Sequence, residues 1–417
     1  MTARGAGHRP AGPCRPLSVP RATIGTMTAT VPPPALTARA LNRATLARQS
    51  LLAREPVGVE EAVRRVVALQ AQQPGSPYVA LWNRVAGFDP AALDAAIGGF
   101  RLVRSTLMRI TLHLVHAEDY RPFRQAVEPT LRGSRLRDRR FTDTGITPDG
   151  ADALLPELLA YADRSRTGEE LRLRAEELWG GGSLTPAAGR MLRQYAPLWH
   201  VPDGPPWQYA ASPGFVASGP APVPTAPEAA AEGLEALALR YLAGFGPASA
   251  ADLGQFGLVQ RGRARAALDA LVARGAAEVL AGPDGAVLYD LPGAVRPDGE
   301  TPAPPRLMAM WDSTLLAYAD RSRIVPDAYR RHVIRINGDV LPTLLVDGHV
   351  AGAWRPVEGG VEAAAFHPLT AGDWAGLAAE AASLGTLLAD RDPRVYGRYD
   401  HWWAKGLPAA ETRLLAC

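Results

Sequence analysis

Residues 228–292 constrain the fold most tightly, because four elements follow one another there with their ends marked in the residue chemistry. "EGLEALALRYLAGFG" has the apolar spacing of one helix, and Ser249 is placed to cap a short second one, "SAADLGQFG". "LVQRGRARAALDALVARG" is a basic third helix that closes on Gly275. "AEVLAGPDGAVLYDL" then divides into two strands about Pro283-Asp284-Gly285, a turn signal. Helix, short helix, basic helix, hairpin is the order of a winged helix-turn-helix unit.

The outline recurs twice upstream. Leu41, Thr45, Leu46, Leu51 and Leu52 begin a helical pattern, and Val63, Val66, Val67 and Gln70 extend a second over Val59–Gln70 that Pro74 should end through its effect on Gln73. Short helices are expected over "SPYVALWNRVAGF" and after Asp89, a cap followed by Pro90. "RLVRSTLMRITLHLVH" alternates about a turn near Met108-Arg109 and predicts a hairpin. The next unit, Thr147 to Ser218, has a helix over "PDGADALLPELLAYAD" and another with Thr167 and Glu170 as a capping box. "LTPAAGRMLRQYAPLWH" is its candidate recognition helix, before a Pro/Gly-rich wing and the linker "ASGPAPVPTAP".

From Arg306 the pattern changes. Turns at Asn337-Gly338 and Asp347-Gly348 should divide three strands, and "AGDWAGLAAEAASLGTLLAD" is a helix expected to close the ordered part. The expected class is therefore mainly α with β wings (α+β): tandem winged helix-turn-helix units plus a small C-terminal α+β unit. The expected divisions are a disordered tail at 1–34, winged helices at 35–126, 127–226 (with linker) and 227–295, and the α+β unit at 296–417. No fixed-period repeat links them.

At 417 residues and 47% hydrophobic the chain has ample material for a core, and no apolar run is long enough to span a membrane. Residues 1–34 lack the apolar stretch of a signal peptide, and Met27 offers a second start. A soluble cytoplasmic protein follows as the expectation, a monomer held near the nucleoid through DNA. Cys14 and Cys417, at opposite ends in tails expected to be mobile, argue against a disulfide framework. The net charge is only +3, but residues 101–140 hold ten arginines (101, 104, 109, 121, 124, 132, 135, 137, 139, 140) against Glu118, Asp119, Glu128 and Asp138. That excess suits either phosphate contact or a solvated helix face.

No Gly-rich phosphate loop, HExxH, GxSxG or ligand-spaced Cys/His set is present, so neither metal nor cofactor is expected. Gln70-Ala71-Gln72 is the segment of interest. Glutamines at i and i+2 diverge on a helix but share one side of an extended segment, where both amides converge. Taken alone, such glutamines are ordinarily solvated or capping groups.

"ALNRATLARQSLL", "VVALQAQQPGSPYVALWNRV", "RSTLMRITLHLV", "WDSTLLAYADRSRIV" and "LVDGHVAGAWR", in this order, give the chain from about Leu36 to Asp390 a pattern that resembles the AlkZ/YcaQ family of winged-helix DNA glycosylases. The resemblance implies a C-shaped arrangement of the units around double-stranded DNA carrying alkylated bases, with activity that includes unhooking interstrand crosslinks. It also implies that Gln70 and Gln72 fill the catalytic Gln-x-Gln motif, the form similar to self-resistance enzymes of bacteria that make DNA-alkylating antibiotics. The chemistry suits neutral groups. A purine alkylated at N7 is already cationic and leaves as a neutral base, so two amide oxygens need only hold and orient a water. Lys405 is the sole lysine, so Schiff-base strand cleavage is not expected and the enzyme should be monofunctional.

His113 is a possible neighbour of this site, or an ordinary strand histidine. Arg104 and Arg109 beside the first hairpin, and Arg261, Arg263 and Arg265 on the basic helix, are candidates for DNA contact, although alternate residues cannot share one helical face. The "LVDGHVAGAWR" hairpin with His349 could probe a groove or be structural, and Asp312 and Asp320 are expected to be structural. A regulator that reads DNA without chemistry, distinguished by a palindromic site, and a protein that sequesters the free alkylator are the alternatives.

Overall fold

Two hydrophobic cores organise residues 35–417, the part of the chain that the computed structural model describes. The expected tail at 1–34, with Cys14 and Met27, lies outside the described residues. The class is mixed α+β, with antiparallel sheets of three, five, two and two strands.

Helix α1 (Ala38–Arg48) is capped by Thr37, and α2 (Val59–Arg65) follows. The sequence predicts α2 as far as Gln70, but it stops five residues earlier. Val67 takes a left-handed φ of 71° that no helix tolerates, and the chain leaves as a short strand, β1 (Leu69–Gln70). Gly244 permits the turn: a Cβ there would lie 2.8 Å from the Arg65 carbonyl oxygen and 2.9 Å from Val67. Helices α3 (Ser76–Trp82) and α4 (Pro90–Gly98) come next, α4 capped by Asp89 as expected. The hairpin of β2 (Leu102–Thr106) and β3 (Leu112–His116) also forms as expected. β1 joins it as the third strand, in the order β1-β3-β2.

Helix α5 (Ala117–Leu136) runs unbroken through the boundary expected between Ala126 and Val127. It leads to α6 (Arg139–Thr142), α7 (Pro148–Tyr161), α8 (Gly168–Trp179, with its Thr167–Glu170 capping box), α9 (Pro186–Tyr195) and the hairpin of β4 (Leu198–His200) and β5 (Phe215–Ala217). Then come α10 (Pro227–Phe245), α11 (Ala250–Gly257, capped by Ser249), α12 (Arg261–Ala273) and the hairpin β6 (Glu278–Ala281) with β7 (Val287–Asp290). α10 lies against α5 at Gly233, where a Cβ would stand 2.6 Å from the Pro122 carbonyl oxygen. Arg124 joins Glu128 on α5 and the Tyr195 carbonyl at the end of α9. α5 and α7 to α12 enclose the second core.

The C-terminal region departs from expectation twice. The stretch taken as its first strand is α13 (Asp327–Val333), and only a single bridge, Ile334 to Val340, forms across Asn337-Gly338. β8 (Arg306–Leu307), β9 (Thr343–Val346), β10 (His349–Val357) and β11 (Gly360–Ala365) build the sheet, and α14 (Ala371–Ala389) covers it. That helix does not close the ordered part. After α15 (His401–Ala404), β12 (Glu411–Ala416) pairs along β11, and Cys417 reaches the Ala381 carbonyl from the end of this strand instead of a loose tail. Arg84 and Asp312 form a fully buried pair at 2.8 Å in this half. Asp320 accepts from the Ser322 amide, so both aspartates are structural.

No helix among the described residues is long and apolar enough to cross a membrane.

Candidate active site

The short strand β1 sets the site. It pairs antiparallel with β3, Leu69 against Leu114 and Gln70 against His113, and the Ala71 amide continues the ladder to the Leu112 carbonyl at 2.7 Å. Ser313 holds the chain from behind through the Ala68 carbonyl. Alternation does the rest. Leu69 and Ala71 enter the first core, while Gln70 in the strand and Gln72 in the bend just past it both meet the first hairpin.

Both amides are pinned by the hairpin they face. Arg109 Nη2 donates to Gln70 Oε1 at 2.8 Å, and the Leu112 backbone N–H donates to Gln72 Oε1 at 2.8 Å. Each oxygen keeps one lone pair of its two. Gln70 is 5% exposed, and Gln72 is half-buried and lines a cavity of about 180 Å³ between the first hairpin and α9.

Arg109 and His113 are part of this arrangement. Arg109 sits in the hairpin loop with a φ of 53°, and its Nη1 donates to the Phe256 carbonyl of α11 at 2.9 Å. Burial, aided by Arg321, lowers its pKa to about 10, so it stays charged at neutral pH. His113 Nε2 lies 3.3 Å from Arg109 Nη2 and Nδ1 lies 3.1 Å from the Thr111 carbonyl. Burial, then Arg109, pushes His113 down to about 3. The imidazole is thus neutral, with Nδ1–H donating to Thr111 and the Nε2 lone pair facing the guanidinium. With that lone pair engaged it is a support for Arg109, not a free base.

The other candidates lie elsewhere. Arg109, considered above for phosphate contact, points inward. So does Arg104: it is 4% exposed, with its guanidinium 4.7 Å from the Tyr209 ring, and burial lowers it to about 10. Arg261 and Arg265 of α12 are exposed, Arg265 beside Asp269 at 3.5 Å, while Arg263 turns to a different, half-buried face near Thr130 and Arg132. His349 follows a turn that is tied down: Asn42 donates to the Gly348 carbonyl and Arg39 and Arg43 hold Asp347. These contacts fasten the hairpin to α1. Five of the ten arginines in the run are paired with acids, through Arg101–Glu60, Arg124–Glu128, Arg132–Asp152, Arg139–Asp143 and Arg140–Asp138.

Sequence reasoning missed the role of Arg109 and the residues across the cavity from Gln72, among them Arg193, Gln194 and His200. The one available signal was that "LTPAAGRMLRQYAPLWH" reads as a recognition helix, which places its polar residues toward a ligand. No group of three or more His, Cys, Asp or Glu that could hold a metal occurs among the described residues.

The fold is shared with a solved structure, Streptomyces sahachiroi DNA glycosylase AlkZ, at a TM-score of 0.71 and 19% identity, covering 85% of this chain and 98% of that one. No curated protein matches the sequence. The family described as DNA glycosylase AlkZ-like matches residues 63–387, from α2 through Gln70-Ala71-Gln72 to the last turn of α14. On that match the chain belongs to the AlkZ-like family of DNA glycosylases.

Proposed function

We propose that this glycosylase hydrolyses the N-glycosidic bond of purines alkylated at N7, bulky adducts and interstrand crosslinks included, in DNA repair or in self-resistance to a DNA-alkylating natural product. Gln70 and Gln72 are its catalytic residues. The observation that carries the reading is that both amides, two residues apart, meet the first hairpin, each oxygen fixed by its own donor and each with a lone pair free. A water accepted by those lone pairs is oriented toward the anomeric carbon of the lesion. Its oxygen bonds to C1′ as the C1′–N9 bond breaks, the electron pair neutralises the N7 cation, and the water's proton leaves to solvent. Unmodified purines, whose departure requires a proton, are poor substrates on this chemistry.

The helix–helix–hairpin successions over 35–126, 127–226 and 227–295 serve as tandem winged helices that hold the duplex in a C-shaped channel, with the exposed Arg261 and Arg265 as phosphate contacts. The enzyme is monofunctional: Lys405, the sole lysine, packs over Trp402 with Nζ 4.6 Å from the ring centroid.

The test incubates the protein with a duplex carrying one N7-methylguanine, and separately with an N7-crosslinked duplex, and resolves abasic product and unhooked strands. Release that falls at least about a hundredfold in a Gln70→Ala, Gln72→Ala double variant, with DNA binding retained, is expected. Equal activity of variant and wild type removes the assignment. Failure of borohydride to trap a covalent protein–DNA product tests the monofunctional reading.

A further inference from the structure

The cavity beside Gln72 has a chemistry of its own. Its walls come from the first hairpin on one side and from α9 and β4 on the other. Leu112, Leu198 and Phe215 give it apolar surface. Two polar atoms on the far wall have no partner: Gln194 Oε1 and His200 Nδ1 are both enclosed and without a hydrogen bond. An enclosed polar atom left unpaired is costly, and on these two residues, both lining the cavity, a ligand group can supply the missing partner.

Size and charge narrow what fits. An apolar cavity of about 150 Å³ holds benzene, so about 180 Å³ takes one ring-sized group and not a nucleoside. The lining carries Arg190 and Arg193 and no carboxylate. Burial, with Arg104 and Arg193 adding to it, holds His200 well below its ordinary pKa, so the imidazole is neutral. A cationic purine ring is repelled here, whereas a neutral substituent is not.

We propose that this cavity receives the non-base part of the lesion, an uncharged, ring-sized, hydroxyl-bearing substituent whose hydroxyl donates to Gln194 Oε1 and pairs with His200 Nδ1. The proposal rests on the reading of Gln70 and Gln72 given above. It makes Gln194 and His200 specificity-determining residues that take no part in the bond cleavage.

The experiment uses the full chain and two duplexes, one with N7-methylguanine and one with N7-(4-hydroxybenzyl)guanine, and compares single-turnover release rates. In Gln194→Leu and in His200→Phe, the ratio of hydroxybenzyl to methyl release drops by at least about tenfold while methyl release is kept. An unchanged ratio in both variants overturns the pocket. So does a joint loss of both lesions, which would make these residues part of the general machinery. If the Gln70→Ala, Gln72→Ala variant matches wild type, or wild type releases neither lesion, the catalytic reading itself fails and this one with it.

Discussion

Arg109 grips Gln70: its Nη2 stands 2.8 Å from the side-chain amide oxygen Oε1 of Gln70 while Nη1 of the same guanidinium holds the Phe256 backbone carbonyl at 2.9 Å. One hairpin-loop side chain thereby joins strand β1 to helix α11 and sets the rotamer of a proposed catalytic amide. Lysine keeps the charge but cannot span both acceptors. Arg109→Lys should therefore lower kcat by about tenfold and Arg109→Met by about a hundredfold, with KM nearly constant. Steady-state rates on an N7-methylguanine duplex check this, and a change confined to KM would contradict it.

His113 gives a pH dependence of stability with a definite sign. Its folded pKa, about 3, lies below the ordinary 6.5, so across that window the unfolded chain binds the extra proton. Stability from this group is full above about pH 6.5 and is lost as pH falls toward 3. The urea midpoint should be lower at about pH 5 than at about pH 7, and His113→Gln should shrink the difference. An identical pH dependence in the variant would show that this imidazole is not held neutral.

Arg84 and Asp312 are both buried and joined by two hydrogen bonds, at 2.8 and 2.9 Å. Arg84→Met leaves the carboxylate enclosed without its cation, and about 3–5 kcal/mol of stability should go with it. Denaturant titration reads the loss directly. A cost below about 1 kcal/mol would mean that Asp312 is satisfied by Thr314 alone.

Salt dependence separates exposed arginines from buried ones. Each phosphate contact contributes about 0.9 to the slope of log K against log salt. The double variant Arg261→Ala, Arg265→Ala should flatten that slope by close to two such contributions. Arg104→Met should leave it unchanged, because Arg104 faces Tyr209 inside the protein.

Much of the local structure was legible in the residues, and the reasons are local. Asp89, Thr167 with Glu170, and Ser249 cap the helices they were expected to cap, because a cap is decided within four residues. The break in the helix before Pro74 was read from the sequence, and the chain does leave the helix ahead of Gln70. What stops α2 was not: Val67 is an ordinary helix residue in the sequence, and the room for its left-handed turn is left by Gly244 on a helix far along the chain. α13 was misread because "YRRHVIRI" mixes β-branched and basic residues without a clear period. Arg109 was legible as a basic residue beside a turn, but its partner on α11 is 147 positions away. The Asp347-Gly348 turn was evident, and its attachment to α1 was not.

The close seam between α5 and α10 at Gly233, with Arg124 binding α5 to the end of α9, leaves no slack between the glutamine-bearing sheet and the helices that follow it. Such a seam resists folding at the middle of the molecule. On the proposed function, the adjustment on engagement falls instead on the nucleic acid, and duplexes already weakened or kinked by damage should be the cheapest for it to seize.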